Sequence, residues 1–324
     1  MKNKYKNYDI VMECARSIVE GRKVACKETI QACQRFLEDL NNPAYDFNPK
    51  NAEFVIQIIE KTFVHQKGED MQGRPLRGRP FLLEPWQKFI IYNLLGFYHK
   101  GTILRRFKEA FIMVPRKNGK SPLIAALSWG LGLLERRSGA EIVIVGALLK
   151  QALQSFNFLL YNLQQMGEDK NFRILDNNQE HSISGELGDG YLRIETIAGN
   201  SDRMDSLNTL IQILDELHLY KNASQYNTIK ESGKAYRNSL CIGITTAGDN
   251  MNSFCYNRMK YCQKVLNSTV KDEQLFIFIA KADEDPETGE VDYTNPIEHE
   301  KANPNYNVSV SAQELMNDAM QAQN

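Results

Sequence analysis

The sequence predicts an α/β fold: a mostly parallel sheet flanked by helices, with a helical segment ahead of it. Three observations lead there. Beyond Leu104, short apolar runs alternate with amphipathic segments, the texture of a parallel sheet covered by helices. Two of those runs, in IQILDE (211–216) and CIGITT (241–246), lose the polar alternation of a half-exposed strand, as strands covered on both faces do. A third, FIMV at 111–114, passes through a short glycine-bearing loop into an Ala-rich helical pattern.

In chain order, residues 8–67 read as connecting or docking helices. Apolar residues recur there at three- and four-residue spacing: Ile10, Val11, Cys14 and Ile18, then Ile30, Cys33, Phe36 and Leu37. GRPLRGRP at 73–80 breaks the pattern and predicts a loop before a helix that starts near Glu84. Strands are placed at 109–114, 141–146, 191–196, 209–214 and 239–245, with helices between most of them. Residues 251–267 read as a helical excursion, and LFIFIA at 275–280 is a further strand candidate. Past Asp283 the chain turns acidic and turn-rich, with one weak helix from about Ser311. The expected parts are an N-terminal helical segment (1–80), a core with a helical lid (81–270), and a C-terminal strand and linker (271–324).

Lysine plus arginine (39) nearly balance aspartate plus glutamate (40), so attraction to an acidic polymer must come from local patches. The six cysteines form no C-x-x-C pair and follow no signal sequence, which predicts reduced cytosolic thiols and disfavours a metal site. No apolar run approaches the roughly 18–20 residues of a membrane span, so a soluble chain is expected.

VPRKNGKS at 114–121 lies between the strand-like run and the helix. That layout suits a nucleotide phosphate, because backbone N–H groups of such a loop and of the helix N-terminus point at phosphate oxygens, where the helix dipole also favours negative charge. Gly119 lets the backbone approach, Lys120 can bridge the β and γ phosphates, and Ser121 can ligate Mg²⁺. The fold is therefore expected to be of the P-loop NTPase type. The usual G-x-x-x-x-G-K-S pattern has a glycine where Val114 stands here. G-K-S alone equally describes a surface turn with a capping serine; its position after a strand-like run favours the phosphate loop.

TLIQILDELH (209–218) ends an apolar run in Asp215 and Glu216. A strand tip of this kind can deliver one carboxylate, Asp215, to the Mg²⁺ shell and a second, Glu216, to orient and deprotonate an attacking water. In isolation the pair is also an ordinary start of a solvated loop. His218 reads more readily as a loop histidine than as a ligand. Thr245 and Thr246, at the tip of the next apolar strand, either sense a γ-phosphate or form a common turn.

With these pieces in order, the sequence resembles the large terminase subunit of tailed bacteriophages, from about Tyr8 to ANPNYN at 302–307. LEPWQ (83–87), PRKNGKS (115–121), LDELH (214–218) and TTAG (245–248) carry the resemblance, and ANPNYN adds to it. It implies an ATP- and Mg²⁺-dependent motor that packages double-stranded DNA into procapsids. Such a motor works in the host cytoplasm at the procapsid portal, as a homo-oligomeric ring, with a small terminase subunit and the portal protein as partners and no membrane.

The resemblance also implies roles by position. Gln87 would read the adenine edge, with Trp86 packing nearby. Pro115, Arg116, Lys117, Asn118, Gly119, Lys120 and Ser121 would hold the nucleotide phosphates, Arg116 matching the family's phosphate-loop arginine. Thr245, Thr246 and Ala247 match the motif that couples hydrolysis to movement of a neighbouring subdomain. Arg203 matches an arginine that reaches a neighbouring subunit's nucleotide; Arg193 lies in the same stretch, and either is equally a solvated charge. Large terminases carry an RNase H-like nuclease after the ATPase, whose acidic residues hold two metals. Few residues follow ANPNYN here, so DNA cleavage is not expected, and Asp283, Glu284 and Asp285 read as a solvated linker.

Arg105, Arg106 and Lys108, and separately Arg74, Arg77 and Arg79, are candidate contacts to a DNA backbone, or ordinary surface charge. Two other functional readings stay open. A helicase-like P-loop remodeler would need single-strand-binding motifs and a second motor domain, and neither is found. A non-hydrolysing nucleotide-binding interaction protein sits poorly with intact Lys120, Ser121, Asp215 and Glu216. The motor reading requires that the lysine turn and the paired acids converge from adjacent sheet edges onto one magnesium triphosphate.

Overall fold

The computed structural model describes residues 4–199, 204 and 206–322. The helical spacing near the start resolves into α1 (Tyr8–Val19), α2 (Lys27–Asp39) and α3 (Lys50–Thr62). Between α2 and α3 runs β1 (Tyr45–Phe47), antiparallel to β2 (Phe97–His99). Three residues are too few for a period to show, so neither strand was visible in the sequence. α4 (Pro85–Gly96) starts where expected: Glu84 and Gln87 cap it reciprocally, and Pro85 sits in its first turn.

The central layer comprises β3 (Glu109–Met113), β4 (Ala140–Gly146), β5 (Arg173–Asp176), β6 (His181–Glu186), β7 (Tyr191–Ala198), β8 (Ile211–Asp215), β9 (Leu240–Thr245) and β10 (Leu275–Ile279). Their order is β10-β3-β9-β8-β4-β7-β6-β5, parallel from β10 to β7, with β6 and β5 added antiparallel. The helices α5 (Lys120–Glu135), α6 (Leu149–Met166), α7 (Ala223–Glu231) and α8 (Phe254–Leu266) connect the strands, and α9 (Pro296–Ala302) and α10 (Ala312–Ala322) close the chain. Every strand expected from β3 onward is present. The sequence did not show β5 and β6, which are short, partly exposed and rich in polar residues. One expectation needs correction: β3 and β8 are not neighbours, because β9 lies between them.

Alternate residues of each strand feed two cores. Ala110 and Ile112 of β3 join Val11, Val55, Phe89, Ile124 and Leu159 on the face covered by α1–α6. Phe111 and Met113 join Tyr226, Ile229, Cys255 and Cys262 on the face covered by α7 and α8. The first three helices therefore share a continuous apolar core with the sheet. α3 and α5 approach so closely that a Cβ on Gly130 would stand 2.8 Å from Val55 Cγ1.

Buried charges fasten the outer layers. Glu109, at the start of β3, accepts from Tyr226 and pairs with Lys230 and Arg258, tying α7 and α8 to the sheet. Arg106 is 1% exposed, pairs with Asp39 and Glu273, and lies 4.1 Å from the centre of the Tyr45 ring. Arg105, equally buried, pairs with Glu135. Neither can contact a DNA backbone, which corrects that expectation: both guanidiniums are engaged inside the fold. Arg74 and Arg79 are exposed and share Asp70, at 2.7 and 3.3 Å. Among the described residues no helix is long and apolar enough to cross a membrane.

Candidate nucleotide site

The parallel strands β3, β9 and β8 end side by side, and the loops that leave their C-terminal ends form the site. After β3 the chain turns through 114–119 and enters α5 at Lys120. Lys117 (φ 66°) and Gly119 (φ 76°) are left-handed, a conformation glycine adopts without steric cost. The loop closes on itself so that Lys120 Nζ donates to the carbonyls of Val114 and Pro115, each at 3.3 Å. Burial lowers the Lys120 pKa, against the pull of Glu216 and Asp215. Val114, where the usual motif has glycine, directly follows β3: it is fully buried and its N–H donates to Thr245 O at 3.0 Å. A buried position at the end of a strand suits an apolar β-branched residue. Arg116 and Lys117 are exposed, and Ser121 is half-buried in the first turn of α5.

Asp215 ends β8 almost wholly buried, and its Oδ1 has no hydrogen-bond partner among the described residues. Burial and then the Glu216 charge push its pKa up to about 7, against the attraction of Lys120. A buried carboxylate oxygen without a partner is costly, and an oxygen-seeking divalent cation is the partner it suits.

Glu216 is left-handed (φ 53°), which is strained for a residue with a Cβ. Its Oε1 stands 3.8 Å from Lys120 Nζ, while Oε2 accepts the Thr246 N–H at 3.3 Å and lies 3.3 Å from His218 Nδ1. Burial alone would raise this carboxyl, but the His218 hydrogen bond and the Lys120 charge outweigh it and hold the pKa below the ordinary value. His218, in the turn after β8, reaches the tip of β9. Its N–H donates to Thr245 Oγ1 at 3.1 Å, and its Nδ1 lies 3.2 Å from that oxygen and 3.4 Å from Thr246 Oγ1.

Gln87 lies beside the loop: a Cβ on Gly119 would be 3.7 Å from its Nε2, while its Oε1 accepts the Glu84 N–H. Trp86 stacks on Phe278 of β10 at 5.7 Å and donates its indole N–H to Asn305 Oδ1 at 2.7 Å. Arg203 lies outside the described residues. Arg193 is bound to Glu180 and Glu195 near the start of β7, opposite Glu141, at the end of the sheet away from the phosphate loop.

The sequence reading missed the role of ANPNYN. Taken as linker, it is packed onto the phosphate loop: Asn118 Nδ2 donates to Asn303 Oδ1 at 2.9 Å and Asn118 Oδ1 accepts the Asn305 N–H at 3.0 Å. Beyond its part in the resemblance, its signal in the sequence was the asparagines themselves, which need partners once buried. Elsewhere, Cys26, Glu28 and Asp283 bring possible metal-ligand atoms within 4.8 Å of one another. Lys281 and Lys301 already supply positive charge there, at 3.8 Å from Glu28 and 3.1 Å from Asp283.

Residues 85–264, which span α4, the phosphate loop, the acidic strand tip and most of α8, match the family model of the terminase large subunit, ATPase domain. The chain belongs to that family. Over 112 residues this terminase chain is 35% identical to Protein YmfN of Escherichia coli (strain K12), an alignment covering 35% of it and 24% of YmfN. It also superposes on the HK97 bacteriophage large terminase with a TM-score of 0.63 and 20% identity, over 84% of its own length and 51% of the other. That likeness bears on the fold, which it supports as the P-loop type read from the sequence. The terminase chain thus spans about half of the HK97 protein and about a quarter of YmfN.

Proposed function

We propose that this chain is the Mg²⁺-dependent ATPase motor of a phage packaging terminase, driving double-stranded DNA into a procapsid. The observation that carries the reading is the meeting of Lys120 and Glu216, 3.8 Å apart, beside the unpartnered Asp215 Oδ1. The backbone N–H groups of the loop and of the first turn of α5 receive the phosphates. Lys120 exchanges the carbonyls of Val114 and Pro115 for the β and γ phosphates, and Arg116 adds positive charge at the mouth. Glu216, held by His218 and the Thr246 N–H, orients the attacking water and takes its proton. Gln87, beside Gly119, reads the base, and Thr245 and Thr246 relay the state of Glu216 into the loop after β9.

Asp215 and the Ser121 hydroxyl would hold Mg²⁺, which fits oxygen donors that include a buried carboxylate oxygen with no partner among the described residues. When bound, the ion neutralises charge on the phosphate oxygens. In this reading 81–270 is the motor core with α8 in its lid, 1–80 a helical support, and 271–324 the connection onward. The working form is a ring at the portal in the host cytoplasm, with the small terminase subunit, where Arg203 completes a neighbour's site.

The test is ATP hydrolysis by the purified chain and by Glu216→Gln, with and without linear duplex DNA, over concentrations that sample assembly. Turnover by the native chain should rise with duplex. The variant should keep nucleotide binding and lose roughly 10²–10⁴-fold in turnover. No hydrolysis in any assembly state, or equal hydrolysis by the variant, would refute the proposal.

A further inference from the structure

The segment between α9 and α10 is fastened to the phosphate loop from outside it. Asn118 is fully buried, and its amide N–H groups serve the carbonyls of Pro115 (3.3 Å) and Arg116 (3.2 Å) as well as Asn303 Oδ1 (2.9 Å). Its own oxygen is taken by the Asn305 N–H. Asn305 is in turn gripped on both sides, accepting from Trp86 Nε1 and donating to Ser309 Oγ at 3.1 Å. Ser309 then donates to the carbonyl of Lys117 at 2.8 Å, the left-handed residue of the loop.

From this geometry we infer that residues 303–310 are a latch that sets the shape of the phosphate loop and carries the loop's state to α10. The inference rests on the proposed nucleotide-binding function. Lys117 and Asn118 immediately precede Gly119 and Lys120, so a loop that reshapes around a triphosphate must move groups the latch holds. A buried amide such as that of Asn118 cannot abandon these partners without leaving them unsatisfied. α10 starts at Ala312, directly after the latch, and has no fully buried residue, so it can shift with little loss of packing. The coupling is reciprocal: whatever holds or displaces α10 changes nucleotide affinity by the factor with which nucleotide changes the latch. Asn303, Asn305 and Ser309 are thus positioning residues, acting through Lys117 and Asn118.

The experiment compares the native chain with Asn303→Ala, Ser309→Ala and Ser309→Thr. It measures affinity for a fluorescent ATP analogue with Mg²⁺, KM and kcat, melting temperature, and amide hydrogen exchange over 303–310 with and without that nucleotide. Asn303→Ala and Ser309→Ala should weaken binding about five- to tenfold, raising KM with kcat unchanged. Ser309→Thr keeps the hydroxyl and should restore native affinity. Ser309 is exposed, so its alanine variant should melt with the native chain. In the native chain, nucleotide should change exchange at the Asn305 amide. Native binding with unaltered affinity in both alanine variants and unaltered exchange at 303–310 overturns the latch alone. A native chain that binds no nucleotide overturns both the latch and the function it rests on.

Discussion

Lys120 Nζ stands 3.8 Å from Glu216 Oε1, so the cation of the phosphate loop and the carboxylate after the acidic strand already face one another across the site. The contact is loose because Lys120 also donates to two loop carbonyls, and burial depresses its pKa. A phosphate offers that ammonium a stronger partner than any it has. Lys120→Met is expected to lower ATP turnover about a hundredfold or more. The fold should change little, since Glu216 keeps His218 and the Thr246 N–H. Steady-state hydrolysis and thermal melting of the same preparation check both halves.

Asp215→Asn should have opposite effects on stability and activity. Among the described residues the buried carboxylate lacks a partner at Oδ1, and it sits beside Glu216, so replacing it with a neutral amide removes the burial of a charge and the repulsion together. The expected gain in nucleotide-free stability is about 1–3 kcal/mol by denaturant unfolding at neutral pH. Mg²⁺-dependent ATP turnover should be lost. An activity that survives with its Mg²⁺ dependence intact would remove Asp215 from the metal shell.

Arg106 anchors the interior. Arg106→Met leaves Asp39 buried without its cation and strips Glu273 of a partner at 2.7 Å. The expected destabilisation is about 3–5 kcal/mol by urea titration. Duplex DNA affinity of the folded variant should equal that of the native chain, because the guanidinium is not at the surface.

All six cysteines are buried, and burial pushes Cys241 and Cys262 up to about 12 and Cys255 to about 11. Native chain at about pH 8 should react with a thiol reagent far more slowly than unfolded chain. The raised pKa values fix the sign of the pH effect. Unfolded thiols titrate near 9.0, so their contribution to stability is complete below that pH and is lost as pH rises through the folded values, about 11 to 12. Urea midpoints measured on either side of about pH 9 check it.

Short-range patterns told most of the fold. Apolar runs located β3, β4, β8, β9 and β10 to within two residues at each end, because a strand buried on both faces must be apolar along its length; β7, which carries Arg193 and Glu195, was located as closely. The Gly/Pro/Arg stretch at 73–80 announced the start of α4 near Glu84 because it cannot continue a helical pattern, and the structure adds the reciprocal cap between Glu84 and Gln87. The glycine turn after β3 and the acids at the end of β8 were legible because the ends of parallel strands carry their chemistry in adjacent residues.

What the sequence by itself determined, then, was which residues lie at the strand tips. Which tips meet was decided by tertiary structure, because strand order depends on pairings between distant segments that leave no local period. That is why β9 could be read as a strand but not as the divider between β3 and β8, placing Thr245 between the lysine and the acids. The same limit hid Arg105 and Arg106, whose partners Glu135, Asp39 and Glu273 come from other elements, so a basic cluster in the chain became a set of interior ion pairs. It also hid the contact between Asn118 and Asn303: a side-chain amide declares its need for a partner in sequence, and only the folded chain supplies one.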